Sequence, residues 1–281
     1  MSPPIVDSPE LFPTKLLETP MVIDLGSDSE PEDRKEHQDQ DQDREILIFS
    51  DFDGTIFMQD TGHILFDSHG CGADRRKALD AQISSGERSF RKVSEEMWGS
   101  LDIPFGKGLE IIKGQLEIDP AFRDFHAYCL KQKIPFNIIS AGLKPILRAV
   151  LEEFLGAEQA KHIDIISNDA VISEDGTAWK PIWRDDTPHG HDKAASIKQA
   201  RAAATMSRPV IVFIGDGVSD LPGAREADIL FARRGLRLHE YCIENNIPHI
   251  PFDTFADIKR EIQRISKEEI RSKKYFNVPL P

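Results

Sequence analysis

The 281-residue sequence contains no uninterrupted apolar run approaching the ~20 residues of a membrane span, which excludes an integral helical membrane protein. Its N-terminus, MSPPIVDSPE, lacks both a basic stretch and an apolar core, so it does not read as a signal peptide. Cysteine is scarce. Cys71, Cys129 and Cys242 are far apart and odd in number, match no disulfide or metal framework, and suit a reducing compartment. Positive charge is also short: 35 Lys and Arg face 48 Asp and Glu, a net charge of −13. Such a chain repels nucleic acid and anionic lipid, so neither is an expected partner.

The acidic excess is concentrated at one end. Residues 1–44 carry 12 acidic and 4 basic side chains, or −8 of the total. Within them, SDSEPEDRKEHQDQDQDR has no apolar residue and cannot bury enough surface to offset chain entropy. The segment is expected to be a disordered acidic tail. One apolar island interrupts it: Val22, Ile23 and Leu25, around Asp24 and followed by acids to Asp33. An apolar core with an acidic flank resembles the motif by which disordered segments bind small ubiquitin-like modifiers. The physics would be addition of a strand to a sheet edge, with the acids meeting a basic rim. Ser27 and Ser29 each have an acid three residues on, as at acidophilic-kinase sites. Such a motif would place part of the protein in the nucleus; the rest of the chain implies only the cytoplasm.

From Glu45 onward the pattern changes. Ile46–Phe49, Phe136–Ile139, Ile163–Ile166, Val210–Ile214 and Ile229–Ala232 are short apolar runs that read as buried strands, with 248–251 an edge strand. Asp175-Gly176 marks a hairpin, which the flanking Val171, Ile172 and Trp179 support. Between the strands lie helical patterns, including Phe90, Val93, Met97 and Leu101, a helix opened by Pro145, another over 191–204, and a charged amphipathic one over 255–272. Alternation of strands and helices argues for an α/β fold with a Rossmann-like parallel sheet, and ligands in such sheets lie beyond the carboxyl ends of the strands. The polar clusters fall there: Asp51 and Asp53, then Ser140, then Asp216 and Asp220.

Taken singly, each cluster has a structural explanation. A DxD with Gly marks turns, a lone Lys lies on a solvated face, and Ser at a strand end caps a helix. Together and in order, DFDGT (51–55), the Ser of IISAG (Ser140), the Lys of GHDK (Lys193) and GDGVSD (215–220) resemble the four motifs of the haloacid-dehalogenase-like phosphatases. The resemblance spans about residues 45–255. It implies a core of residues 45–60 and 134–281, a helical cap over 61–133, and Mg²⁺-dependent hydrolysis of a small phosphate monoester.

The chemistry suits the residue types. Asp51 would attack phosphorus and form an aspartyl-phosphate, itself readily hydrolysed. Asp53 would protonate the leaving alkoxide and then deprotonate water. Mg²⁺ takes hard oxygen ligands, for which the resemblance offers Asp51, the Asp53 carbonyl and Asp216. Thr55, Ser140, Ala141 and Gly142 would hold phosphoryl oxygens, with Lys193 neutralising charge and Asp220 fixing Lys193 or the metal's waters. His189 and His191 read as loop or cap residues, because Mg²⁺ prefers oxygen. Trp179 and Trp183 read as hairpin packing.

The insert resembles the phosphoserine-phosphatase-like branch. There an acid soon after the first motif reads the substrate amine, and Asp60 holds that place. A cap Arg reads the carboxylate, and here that place falls at Glu95 or Glu96. The segments SFRK, DPAFRDF, SAGLKPI, HIDIISND and ADILFARRG resemble a fungal polyol-phosphatase subgroup more closely. That likeness implies polyol or sugar-alcohol phosphates as substrates and a metabolite-cleaning role. A cap lined with Asp60, Glu95 and Glu96 would hydrogen-bond hydroxyls, which fits neutral polyols. Phosphoserine and methylthioribose-salvage phosphates are the alternatives within the branch. A non-catalytic scaffold acting through the tail is the alternative from another class.

Overall fold

The computed structural model describes residues 45–204 and 209–276. The expected disorder of residues 1–44 and the modifier-binding reading of Val22, Ile23 and Leu25 lie outside the described residues.

Seven strands form one sheet: β1 (Ile46–Ser50), β2 (Phe136–Leu143), β3 (Asp164–Ile172), β4 (Trp179–Ile182), β5 (Val210–Gly215), β6 (Ile229–Arg233) and β7 (Ile250–Phe252). Their order is β4-β3-β2-β1-β5-β6-β7. All neighbours are parallel except β3 and β4, which form the hairpin expected at Asp175-Gly176. The central strands are largely apolar because both faces are covered. Alternate residues serve the two sides: Ile48, Val212 and Ile214 enter one core, while Leu47, Phe49, Ile211 and Phe213 enter the other.

Five helices fill the connection from β1 to β2: α1 (Thr61–His69), α2 (Ala73–Ser84), α3 (Phe90–Gly99), α4 (Phe105–Gln115) and α5 (Phe122–Gln132). Asp60 caps α1 by accepting from the His63 amide, and Ser89 caps α3 through the Lys92 amide. The helices α6 (Lys144–Leu155), α7 (Ala157–Ala160), α8 (Lys193–Ala203), α9 (Leu221–Ala224), α10 (Arg237–Glu244) and α11 (Phe255–Phe276) complete the chain order.

Three of the boundary differences from the sequence reading have local reasons. Pairing with β4 carries β3 on to Ile172, six residues past the expected end. β2 continues to Leu143, but its register against β3 breaks between Ile139 and Leu143, which lets Ser140–Gly142 turn out of the sheet. Helix α8 begins at Lys193 rather than His191, because Asp192 is its cap and accepts from the Ala195 amide at 3.0 Å. No described helix is long and apolar enough to cross a membrane.

Candidate active site

The carboxyl ends of β1, β2 and β5 meet the helical insert around a cavity of about 210 Å³. Asp51, Asp53, Ser140, Ala141, Gly142, Lys193 and Asp216 line it from the sheet side. From the insert come Asp60, Thr61, His63, Asp80, Ser94 and an apolar wall that includes Phe66, Phe90, Met97 and Trp98.

Lys193 is the electrostatic centre. Its side chain is buried, donates to Asp220 Oδ1 at 2.7 Å and lies 3.0 Å from Asp51 Oδ1. Burial acts to lower its pKa, but the charges of Asp220 and Asp51 outweigh it and hold the ammonium above its ordinary value. The other oxygen of Asp220 accepts from the amides of Asp216 and Gly217, each at 3.0 Å, so this carboxylate also shapes the turn after β5. A Cβ on Gly215 would lie 2.5 Å from Asp220 Oδ2, which explains glycine there.

Asp53 accepts from the Thr61 amide at 2.8 Å and lies 3.3 Å from the Thr61 hydroxyl. Burial raises its pKa well above the carboxylate range, Asp60 adds to the rise, and the Thr61 bonds oppose it. Asp51 is raised by burial and by Asp220, against the pull of Lys193. Asp216 is pushed up to about 7, by burial first and Asp220 second, while the Thr55 hydrogen bond opposes the change.

Oxygens of Asp51, Asp216 and Asp220 lie within 4.8 Å of one another. Lys193 and two amides already engage Asp220, which leaves Asp51 and Asp216 as the hard donors. That donor set fits Mg²⁺, and a divalent cation would relieve the mutual repulsion of these carboxylates.

Two expectations are corrected. Thr55 is not a wall residue of the cavity; it is fully buried and its hydroxyl donates to Asp216 Oδ1 at 2.7 Å. Glu95 does not line the cavity either, because α3 turns it outward to accept from Trp183 Nε1 at 2.8 Å. Its neighbour Glu96 is paired with Arg75 and Arg88. Helical phase decides this: the α3 residues that face the cavity are Phe90, Ser94, Met97 and Trp98.

Other contributors were missed. Thr61 follows the capping Asp60, a position whose link to Asp53 no motif announces. Arg233 is buried and donates to the Thr55 carbonyl at 2.6 Å and to Asp119 Oδ2 at 2.9 Å, holding the turn after Asp53 from beneath. Its partners are 178 and 114 residues away, beyond any local pattern. His191 lies in the loop before α8, as expected, and is buried there between the Ser140 carbonyl and the Ser196 hydroxyl, at 2.8 and 3.0 Å. Trp179 does more than pack its hairpin; it stacks on Trp98 and donates to the Ile103 carbonyl at 3.0 Å.

The family model for haloacid dehalogenase-like hydrolases matches residues 48–225. Pdp3-interacting factor 1 of Schizosaccharomyces pombe is 39% identical over 222 residues, covering 79% of this chain and 96% of the relative. Polyol phosphate phosphatase PYP1 of Saccharomyces cerevisiae is 36% identical over 225 residues, covering 78% and 93%. A substrate-bound phosphoserine phosphatase structure shares the fold with a TM-score of 0.60 at 15% identity, covering 78% of this chain and 99% of that one. The chain belongs to the haloacid dehalogenase-like hydrolase family, among its phosphatases.

Proposed function

We propose that the protein hydrolyses small polyol phosphates with Mg²⁺ through an aspartyl-phosphate on Asp51, and that the helical insert over residues 61–133 forms the cap that selects the substrate. The observation that carries the reading is the single cavity shared by Asp51, Asp53, Ser140, Lys193 and Asp216. Asp51, Asp216 and the Asp53 carbonyl would hold Mg²⁺, whose charge lets an anionic nucleophile approach an anionic phosphate. A carboxylate oxygen of Asp51 attacks phosphorus, and the bond to the ester oxygen breaks. Asp53, whose pKa burial raises, delivers its proton to that oxygen and releases the alcohol. Asp53 then takes a proton from water as the water attacks phosphorus, which frees orthophosphate and restores Asp51. Ser140, the Ser140–Gly142 turn and Lys193 hold the phosphoryl oxygens.

The cap wall supports a substrate with no second anionic group. Lys193 is the only Lys or Arg among the described residues lining the cavity, and it is committed to the phosphate end. Arg75 and Arg88 are bound to Glu96, Arg76 to Asp67 and Asp80, and Arg91 to Asp186. Asp60 and Asp80 on the wall would repel a carboxylate and accept from hydroxyls. The 36% identity to a polyol phosphate phosphatase supports the same class. A panel of glycerol and tetritol phosphates, phosphoserine and sugar phosphates tests the reading. Polyol phosphates should have the highest kcat/KM, and a preference for phosphoserine would overturn the substrate class.

A further inference from the structure

Residues 183–192 connect β4 to α8 and touch the insert at one end and the catalytic centre at the other. On the insert side, Trp183 Nε1 donates to Glu95 Oε1 at 2.8 Å. The Arg91 guanidinium lies over the Trp183 ring, 5.8 Å from its centroid. The Arg91 amide, an orphan donor in the first turn of α3, donates to the Pro188 carbonyl at 2.9 Å. The Arg91–Asp186 ion pair is exposed and adds little.

The same segment is also tied together internally. Gly190 adopts φ +68°, and a Cβ there would lie 2.3 Å from the Trp183 ring, so the indole rests directly on the backbone that leads to His191. The Asp185 amide donates to the Gly190 carbonyl, and Asp185 Oδ2 accepts from the Asp192 amide at 2.8 Å. On the catalytic side, His191 holds the Ser140 carbonyl, and Lys193 follows as the first residue of α8. One indole thus packs between the α3 helix and the backbone that places two groups of the site.

We propose that Trp183, Glu95 and Arg91 form a latch through which the seating of α3 positions Lys193 and Ser140. The latch residues touch no substrate; they act through the 183–192 segment and are positioning residues. The inference rests on Lys193 and Ser140 serving as phosphate-holding groups. It gives Glu95 a role as a hydrogen-bond acceptor from Trp183, in which an amide oxygen substitutes and an aliphatic side chain does not.

The test uses the full chain with Glu95→Leu, Glu95→Gln, Trp183→Phe and the double variant Glu95→Leu with Trp183→Phe. Amide hydrogen exchange over 189–196 is measured beside kcat and KM for p-nitrophenyl phosphate and glycerol phosphate. Loss of one net hydrogen bond is expected to speed exchange and lower kcat, each about tenfold, with KM nearly unchanged. Glu95→Gln should restore both, and the double variant should lose no more than either single one. If Glu95→Leu does not fold, Trp183→Phe, which keeps a ring on Gly190, carries the test. Unchanged exchange and kcat in an active enzyme, additive losses, or a Glu95→Gln as impaired as Glu95→Leu would overturn the latch. Faster exchange in a protein that hydrolyses no phosphate monoester would support the latch and contradict the phosphatase reading of the site.

Discussion

The Thr55 hydroxyl donates to Asp216 Oδ1 at 2.7 Å, across 161 residues of sequence. The adjacent Gly54, at φ +76°, lets the turn close so tightly that a Cβ would meet Asp216 Oδ2 at 2.3 Å. The first motif therefore supplies Asp51 and also aims the carboxylate of the fourth. Thr55→Val keeps shape and removes the donor. It should weaken Mg²⁺ binding by roughly 10- to 100-fold, the usual effect of losing a partner behind a metal ligand. Calorimetric titration of the metal checks this. At saturating Mg²⁺ the KM for substrate should be unchanged, whereas a raised KM would return Thr55 to the phosphate.

Asp53→Asn removes the proton that the leaving oxygen needs. Turnover of alkyl phosphates should fall by about 10²–10⁴, the usual contribution of a positioned acid. Aryl esters, whose leaving group departs unprotonated, should lose less. Stopped assays on glycerol phosphate and p-nitrophenyl phosphate measure the two losses, and equal losses would make Asp53 a structural group.

Much of this site was legible because the motifs are local and end on strands. Asp51, Ser140 and Asp216 follow apolar runs whose strands lie side by side, so a sheet brings them together without further information. The strand pattern was legible for the same reason, since β1, β5 and β6 are buried on both faces. The insert was harder. That α3 is a helix followed from its spacing, but counting along it to the place of a cap Arg gave Glu95 or Glu96, whereas Ser94 is at the cavity. The Arg233–Asp119 support was illegible because its members meet only in the fold.

Burial sets an acid limit on stability. His126 is fully buried with Nε2 unpartnered among the described residues, and burial lowers its pKa to about 4; repulsion from His162 adds to this. His191 is likewise lowered to about 4, by burial first, against the hydrogen bond to Ser140. In both, the folded state binds its proton less readily than the unfolded chain does. The contribution of these two histidines to stability is therefore full above about pH 6.5 and falls as pH drops from there towards 4. His126→Phe suits a site where the ring already stacks on Phe122. At pH 5 it should exceed the parent by roughly 2 kcal/mol relative to their difference at pH 7. Urea midpoints at the two pH values check this, and parallel curves would contradict it.

Asp60→Asn keeps the cap on α1, because Asn serves as well as Asp there, and removes one negative charge from the cavity wall. The preference for glycerol phosphate over phosphoserine should shrink by about tenfold, equivalent to ~1.4 kcal/mol of repulsion. Paired kcat/KM values decide this. An unchanged ratio would place the discrimination elsewhere on the wall, with Asp80 as the next residue to test.

The claim on which the rest depends is that Asp51 carries the phosphoryl group. Acid-quenched single turnovers with a ³²P-labelled polyol phosphate and Mg²⁺, followed by peptide mapping, measure it directly. The account requires a hydroxylamine-sensitive label on the peptide containing Asp51, absent from Asp51→Asn. Retained turnover in Asp51→Asn, or a label on any other residue, would contradict it.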